Sequence, residues 1–379
     1  MTIHNPCALY AIRVIRAVMW EQMVPPLPPE ITLQELYSFA KLHNVESLLW
    51  HGLCGLELDF SDPVLLDWEN RANMLLAQGI VQLAERDVLF GALPGAGIAL
   101  LPVKGCWLKE LYPNMEYRQM VDLDMLIPEE KAQEAKQILL SMGYHTDAFD
   151  DAPNHAGYLK PPYMEVELHT GLIQRDNGYY DDIWSRVEQV EGYPCLYRMK
   201  AEDEYIFYLR HLNRHFEDGG SGIRSILDSV VYRNAYPDMD MAYLDKELKA
   251  LKLWEMAQQV QTLADCWFKT GAPVPSELTA LAQSILTAGS YGTIENVSRN
   301  RLEKLEEKYK NPIIRGVVYW VDRICRPRQE MARSYPILKK LPVLLPVFWV
   351  IRAAQKFGKH PKAIWNHVKI VFGKGKQNG

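Results

Sequence analysis

The sequence predicts an α+β fold in which a small mixed β-sheet core is flanked by N-terminal and C-terminal helical regions. Three observations predict it. Apolar residues recur at helical spacing from Cys7 to about Leu93, short apolar or alternating runs read as strands between Gly95 and His169, and helical spacing returns from about Ala201 to Thr287. The chain divides accordingly into residues 1–94, 95–200 and 201–330, with a basic tail, 331–379, expected to pack on the body.

The N-terminal stretch MTIHNPCALYAIRVIRAVMW has Arg13 and Arg16 within its apolar face and lacks the features of a secretory signal, so it reads as an amphipathic helix. The VPPLPPE segment at Val24–Glu30 ends that helix. Thr32 and Glu35 stand at capping-box spacing ahead of a second helix, and Ser61-Asp-Pro opens a long third one through Trp68, Leu75 and Leu83.

In the core, Gly95-Ala-Gly turns into an apolar strand from Ile98 to Val103, Lys104-Gly105 ends it, and a helix runs to Tyr112. A second strand spans Val121–Ile127, followed by a helix from about Glu129 to Met142 with Gly143 as its C-cap. The third, Tyr163–His169, alternates by two, which sets Glu165, Glu167 and His169 on one face and Met164, Val166 and Leu168 on the other. Beyond it, helices are expected over Tyr205–Phe216, Gly222–Tyr232 and Ala242–Phe268.

With 379 residues, 48% of them hydrophobic and 23% charged, the disordered and fibrous classes are excluded. Six cysteines without a C-x-x-C pair argue against a zinc knuckle and a disulfide framework, and they fit a cytoplasmic protein. The net charge of −5 is unevenly spread, because no Asp or Glu follows Glu330 while Lys and Arg continue to Lys376. In that tail Lys339-Lys340 and Arg352 bracket the apolar run Leu341–Ile351, which is too short to span a bilayer. Docking on the acidic body is the expectation. The alternatives are peripheral contact with an anionic membrane, with Phe348 and Trp349 inserted, or an acidic or nucleic-acid partner.

Asp122 and Asp124 stand at i and i+2 on an apolar strand, so both carboxylates leave one face. Two carboxylates so placed repel unless a cation neutralises them, and Mg²⁺ or Mn²⁺, held by carboxylates, water and substrate phosphates, suits the pair. Alone, the pair reads first as a solvated strand end; the sugar-nucleotide site of a metal-dependent glycosyltransferase is a lesser alternative that leaves the Lys-Gly strand end and the later acidic strand unexplained. The later acidic strand, with Glu165 and Glu167 on one face, can complete a two-metal site.

The segment LLPVKGCWLKELYPNMEYRQMVDLDMLI, followed by MEVELH, resembles an uncharacterised nucleotidyltransferase family of the DNA polymerase β-like superfamily across roughly residues 95–235. Its pattern is an apolar strand, Lys-Gly, Leu-Tyr-Pro, an Arg, Asp-hydrophobic-Asp and later Val-Glu-hydrophobic-His. The resemblance implies a nucleotidyltransferase core that moves an NMP from an NTP to an acceptor (a small molecule, a protein or RNA) and releases pyrophosphate. It implies Asp122 and Asp124 as metal ligands and selects Glu167 over Glu165 as the third carboxylate.

The wider superfamily commonly has Gly-Gly or Gly-Ser after the first strand, whereas here Gly105 precedes Cys106. Gly105 still permits close phosphate approach, Lys104 can supply charge in place of the hydroxyl, and Arg118 is a second phosphate candidate. The missing hydroxyl keeps open a catalytically silent nucleotide-binding or regulatory protein with the same fold. His169 can order a carboxylate, touch the nucleotide or cap the strand. A second cluster, HLNRHFEDGGSGIRSILD, sets His211 and His215 one turn apart and Arg224 and Asp228 one turn apart across a glycine turn. His215 and Arg224 are expected at the substrate or triphosphate with Asp228 orienting Arg224; a helix–helix polar network is the alternative.

Overall fold

The computed structural model describes residues 5–152, 155–172 and 178–290, and beyond them 302, 305–306, 308–328, 331–332, 335 and 337–359; the side chains of 147–152, 155, 339 and 356–359 are excluded. These residues fall into two compact units: one comprises residues up to 213 together with 222–290, and the other residues 214–221 together with those after 290. The expected α+β class holds: a mixed sheet is preceded and followed in sequence by helices.

In the first unit, Asn5 accepts a hydrogen bond from the Ala8 N–H and Pro6 fills the first turn of α1 (Pro6–Met19). Helix α2 (Leu33–His43) starts with the expected capping box, the Thr32 and Glu35 side chains each accepting the other's backbone N–H. It ends at Asn44 with φ 52°, and α3 (Glu46–Leu53) follows. Asp62, within the Ser61-Asp-Pro opening, caps the long helix α4 (Pro63–Gly95) by accepting the Val64 N–H.

The sheet has the order β1-β2-β5-β4-β3, with β1 (Leu101–Pro102), β2 (Leu123–Leu126), β3 (His145–Ala152), β4 (His155–Lys160) and β5 (Met164–His169). Only β2 and β5 run parallel. Between β1 and β2 lie α5 (Gly105–Leu108) and two short 3-10 turns, Lys109–Leu111 and Met115–Tyr117. Helix α6 (Ala132–Ser141) is followed by Gly143 at φ 87°, the left-handed position expected of its C-cap. The two strands expected over 98–103 and 121–127 are shorter than predicted. The β3–β4 hairpin and the separate pair β6 (Val187–Gln189) and β7 (Tyr197–Met199) carried no apolar run to announce them.

Leu89, Phe90 and Leu93 of α4 and Leu139 of α6 pack with Leu123, Met125, Met164, Val166 and Leu168 on one face of the sheet. Leu101, Leu126 and Phe207 belong to a second apolar cluster. Because Asp124 alternates with Leu123 and Met125, its side chain leaves from the face opposite α4 and α6.

Helices α7 (Ala201–Asp218), α8 (Ile223–Ala235), α9 (Met241–Ala250), α10 (Trp254–Asp265) and α11 (Thr279–Ala288) follow. The single helix expected over 242–268 is broken at Lys252, which adopts φ 58° while the Leu253 N–H reaches back to Leu248 O at 2.8 Å. This is a left-handed helix end made without glycine, and so without a sequence signal.

The second unit contains α12 (Pro312–Ile324), α13 (Ile337–Lys340) and α14 (Leu345–Lys359). Met331, Ala332 and Leu338 form its core with Tyr335, Phe348 and Trp349 packed against them. The tail beyond 359, with Lys362 to Lys376, lies outside the described residues. Among the described residues no helix is long and apolar enough to cross a membrane.

Candidate active site

Parallel pairing of β2 with β5 sets Asp124 beside Glu167 and Leu126 beside His169. Side chains directly across a ladder share a face, so one register brings two carboxylates and an imidazole together. One ligand atom each from Asp124, Glu167 and His169 lies within 4.8 Å of the other two. Asp122 stands just ahead of the first residue of β2, two residues from Asp124, and β1 is tied to the site by the Val103 N–H, which donates to Asp124 O at 3.0 Å.

Asp124 is buried, and its Oδ1 accepts from Lys104 Nζ at 2.7 Å and from His169 Nε2 at 2.8 Å. His169 Nε2 also lies 3.4 Å from Glu167 Oε2. Burial disfavours charge on His169, but its bonds to Asp124 and Glu167 outweigh this and push the imidazole up to about 9, so at neutral pH it would ligate a metal only by losing a proton. For Asp124 burial also opposes ionisation, and Lys104 and His169 together hold the carboxyl well below the usual range. Asp122 behaves oppositely: burial first, then the charges of Asp124 and Glu167, push it up to about 6 despite Lys104.

The turn after β1 has its own logic. Lys104 holds φ 55°, ψ −119°, a conformation that costs an L-residue energy. At Gly105 a Cβ would lie 2.8 Å from Met120 Sδ and 3.1 Å from Arg118 Nη1, so this glycine permits close packing of the chain that leads into β2. Cys106 is fully buried in the main core with Sγ 3.5 Å from Asp124 O. The side chain at this position thus points beneath Asp124 into apolar packing.

Arg118, expected at a phosphate, is buried and bound to Asp228 by Nε–Oδ1 at 2.9 Å and Nη2–Oδ2 at 3.1 Å, with Tyr112 donating to the same Oδ1 at 2.6 Å. Asp228, expected to orient Arg224, therefore clamps Arg118. Arg224 donates from Nη1 to Gln119 O at 2.8 Å. His215 accepts the Gly220 N–H through its backbone carbonyl; it falls in the second compact unit and is not assigned a place at this site. The sequence carried no signal for Gln82, whose buried amide donates to Met120 O and Val121 O at 3.1 Å each and so pins the chain entering Asp122.

The model of an uncharacterised nucleotidyltransferase family matches residues 29–269, a span that holds the whole sheet and every group at Asp124. The chain belongs to this family. No curated protein matches it. The match begins within the N-terminal helical region and ends after α10, so the family's unit includes the flanking helices as well as the sheet.

The donor set fits a divalent cation. Two carboxylates and an imidazole converge, and a third carboxylate two residues away resists ionisation because it is buried and lies beside their charge. Lys104 and His169 now meet that charge. Carboxylate donors suit Mg²⁺, Mn²⁺ and similar ions, and an imidazole among them suits transition metals more than Mg²⁺.

Proposed function

We propose that this chain is a metal-dependent nucleotidyltransferase that moves an NMP from an NTP to an acceptor and releases pyrophosphate. The observation that carries the reading is the register of Asp124 with Glu167, which converges with His169 and Lys104 on one point within a chain of this family. The acceptor's oxygen forms a bond to the α-phosphorus, the bond to the pyrophosphate oxygen breaks, and the acceptor loses its proton. When bound at Asp122, Asp124 and Glu167, Mg²⁺ or Mn²⁺ supplies positive charge to the triphosphate and lowers the pKa of the attacking hydroxyl.

The protein's own groups do the rest. Lys104 Nζ, now on Asp124, is within reach of an incoming phosphate beside Gly105, and the acceptor's proton leaves to water. Arg118, clamped by Asp228, packs beside Gly105, and Arg224 of the same unit is proposed to contact substrate. All six cysteines are free thiols, which fits the reducing cytoplasm.

Titration of each of the four NTPs with Mg²⁺ or Mn²⁺ tests the reading, and failure of all four to bind folded protein sinks it. Labelled NTPs in cell extract then identify the acceptor by whether a small molecule, a protein or RNA carries the label. One observation favours a second reading, nucleotide binding without turnover: Asp124 is already neutralised by Lys104 and His169. Tight NTP binding with no pyrophosphate released in extract would select it.

A further inference from the structure

We propose that the second compact unit seats on an anionic lipid bilayer through apolar stripes that α12 and the segment ending in α14 present to solvent. On α12, Ile313, Val317 and Val321 are 67%, 51% and 51% exposed, and they recur at i, i+4 and i+8. Ahead of and along α14, Val343, Val347 and Val350 are 78%, 53% and 68% exposed at i, i+4 and i+7. Such spacing places Ile313, Val317 and Val321 on one side of α12 and Val347 and Val350 on one side of α14, with Val343 exposed in the 3-10 turn Pro342–Leu344 ahead of it, and a soluble helix normally turns such a side inward.

The aromatic residues of this segment do the opposite of what an inserted anchor requires. Phe348 packs at a tilt of 45° against Tyr335 with ring centroids 4.7 Å apart, and Trp349 Nε1 donates to Arg326 O at 2.8 Å. They bind α14 to its own unit, so the valines, and not the aromatic residues, form the free side.

Charge selects the occupant. Exposed Lys310 and Arg328 flank α12 and exposed Lys340 precedes α14, while Asp322 is the single acidic residue in either helix. After Glu330 the sequence has ten Lys and Arg and no Asp or Glu. Aliphatic stripes bordered by cations match a surface with an apolar interior beneath anionic headgroups, and such a surface accepts shallow insertion without shape complementarity.

The test is flotation of the full-length protein with vesicles of phosphatidylcholine alone and of phosphatidylcholine with phosphatidylglycerol. Binding is expected to the anionic vesicles at low salt, roughly tenfold weaker to neutral ones, and reduced by high salt. Val347→Glu with Val350→Glu, and separately Ile313→Glu with Val317→Glu, should each lower partitioning by roughly tenfold or more without shifting the melt, because these side chains are more than half exposed. If a glutamate pair lowers the melt, the threonine pair at the same positions, Val347→Thr with Val350→Thr or Ile313→Thr with Val317→Thr, replaces it. The proposal is overturned if the wild type fails to float at low salt, if the stripe variants float as the wild type does, or if the stripes instead mediate self-association that the variants abolish without any lipid binding.

Discussion

Lys104 reaches Asp124 at 2.7 Å from a backbone held at φ 55°, ψ −119°. An ion pair inside the site is therefore joined to a strained turn. Lys104→Met removes the charge and keeps the strain, whereas Lys104→Gly removes both. The glycine variant should be more stable than the methionine variant by about 1–2 kcal/mol in urea denaturation. Equal stabilities would mean that the turn stores no strain.

Asp122 and Asp124 should answer the same substitution in opposite directions. Asp124→Asn removes the acceptor of Lys104 and His169 and should destabilise the metal-free protein. Asp122 has a folded-state pKa raised to about 6 from 3.8, so its cost is absent below 3.8 and complete above 6. Asp122→Asn should therefore stabilise at pH 7 by about 1–2 kcal/mol, after allowance for solvent screening, and the gain should fade by pH 4. Both variants should lose nucleotide binding that depends on divalent ions. Melts at two pH values, with and without Mg²⁺, check both statements.

Lys109 is buried at 2% exposure, and among the described residues its ammonium has no hydrogen-bond or ion-pair partner. Burial first, then the charges of Arg118 and Arg224, bring it down to about 8 from 10.5. A lysine lowered in this way costs stability in full below pH 8, and the cost disappears as pH rises to 10.5. Lys109→Met should stabilise by about 2–3 kcal/mol at pH 7 and by clearly less at pH 9.5. A gain independent of pH would show that the effect is packing alone.

His43 joins three elements of the first unit. Its Nδ1 accepts the Ile223 N–H at 3.2 Å, its Nε2 faces Leu286 O at 3.3 Å, and its ring lies 4.3 Å from that of Phe39. Only the neutral Nε2–H tautomer satisfies both contacts, and burial holds the group down to about 4 from 6.5. The unfolded chain takes up this proton first, so stability should fall by up to about 3 kcal/mol as pH drops from 6.5 to 4. In His43→Gln that slope should flatten. An unchanged slope would assign acid sensitivity to other groups.

Local chemistry made several features legible. The Thr32–Glu35 capping box, Pro63 at the start of α4, Gly143 after α6 and the alternation of Met164–His169 each depend on neighbours within one or two turns, and each appears where expected. The break at Lys252 escaped because no glycine marks it, and the β3–β4 hairpin because its strands are polar and lack an apolar run, although Pro153-Asn154 stands between them.

Sequence by itself determined the α+β class, the family motifs and the face of β5 that carries Glu165, Glu167 and His169. It left the choice between those two glutamates to resemblance, because alternation treats them alike. Tertiary structure decided that Asp124 stands beside Glu167, since strand register is a relation between segments some forty residues apart. It also decided that Asp228 clamps Arg118 rather than orienting Arg224, across 110 residues. Helical spacing determines which side chains share a face; which partner that face meets is decided only when the chain packs, because burying a charge requires a counter-charge wherever the fold brings one.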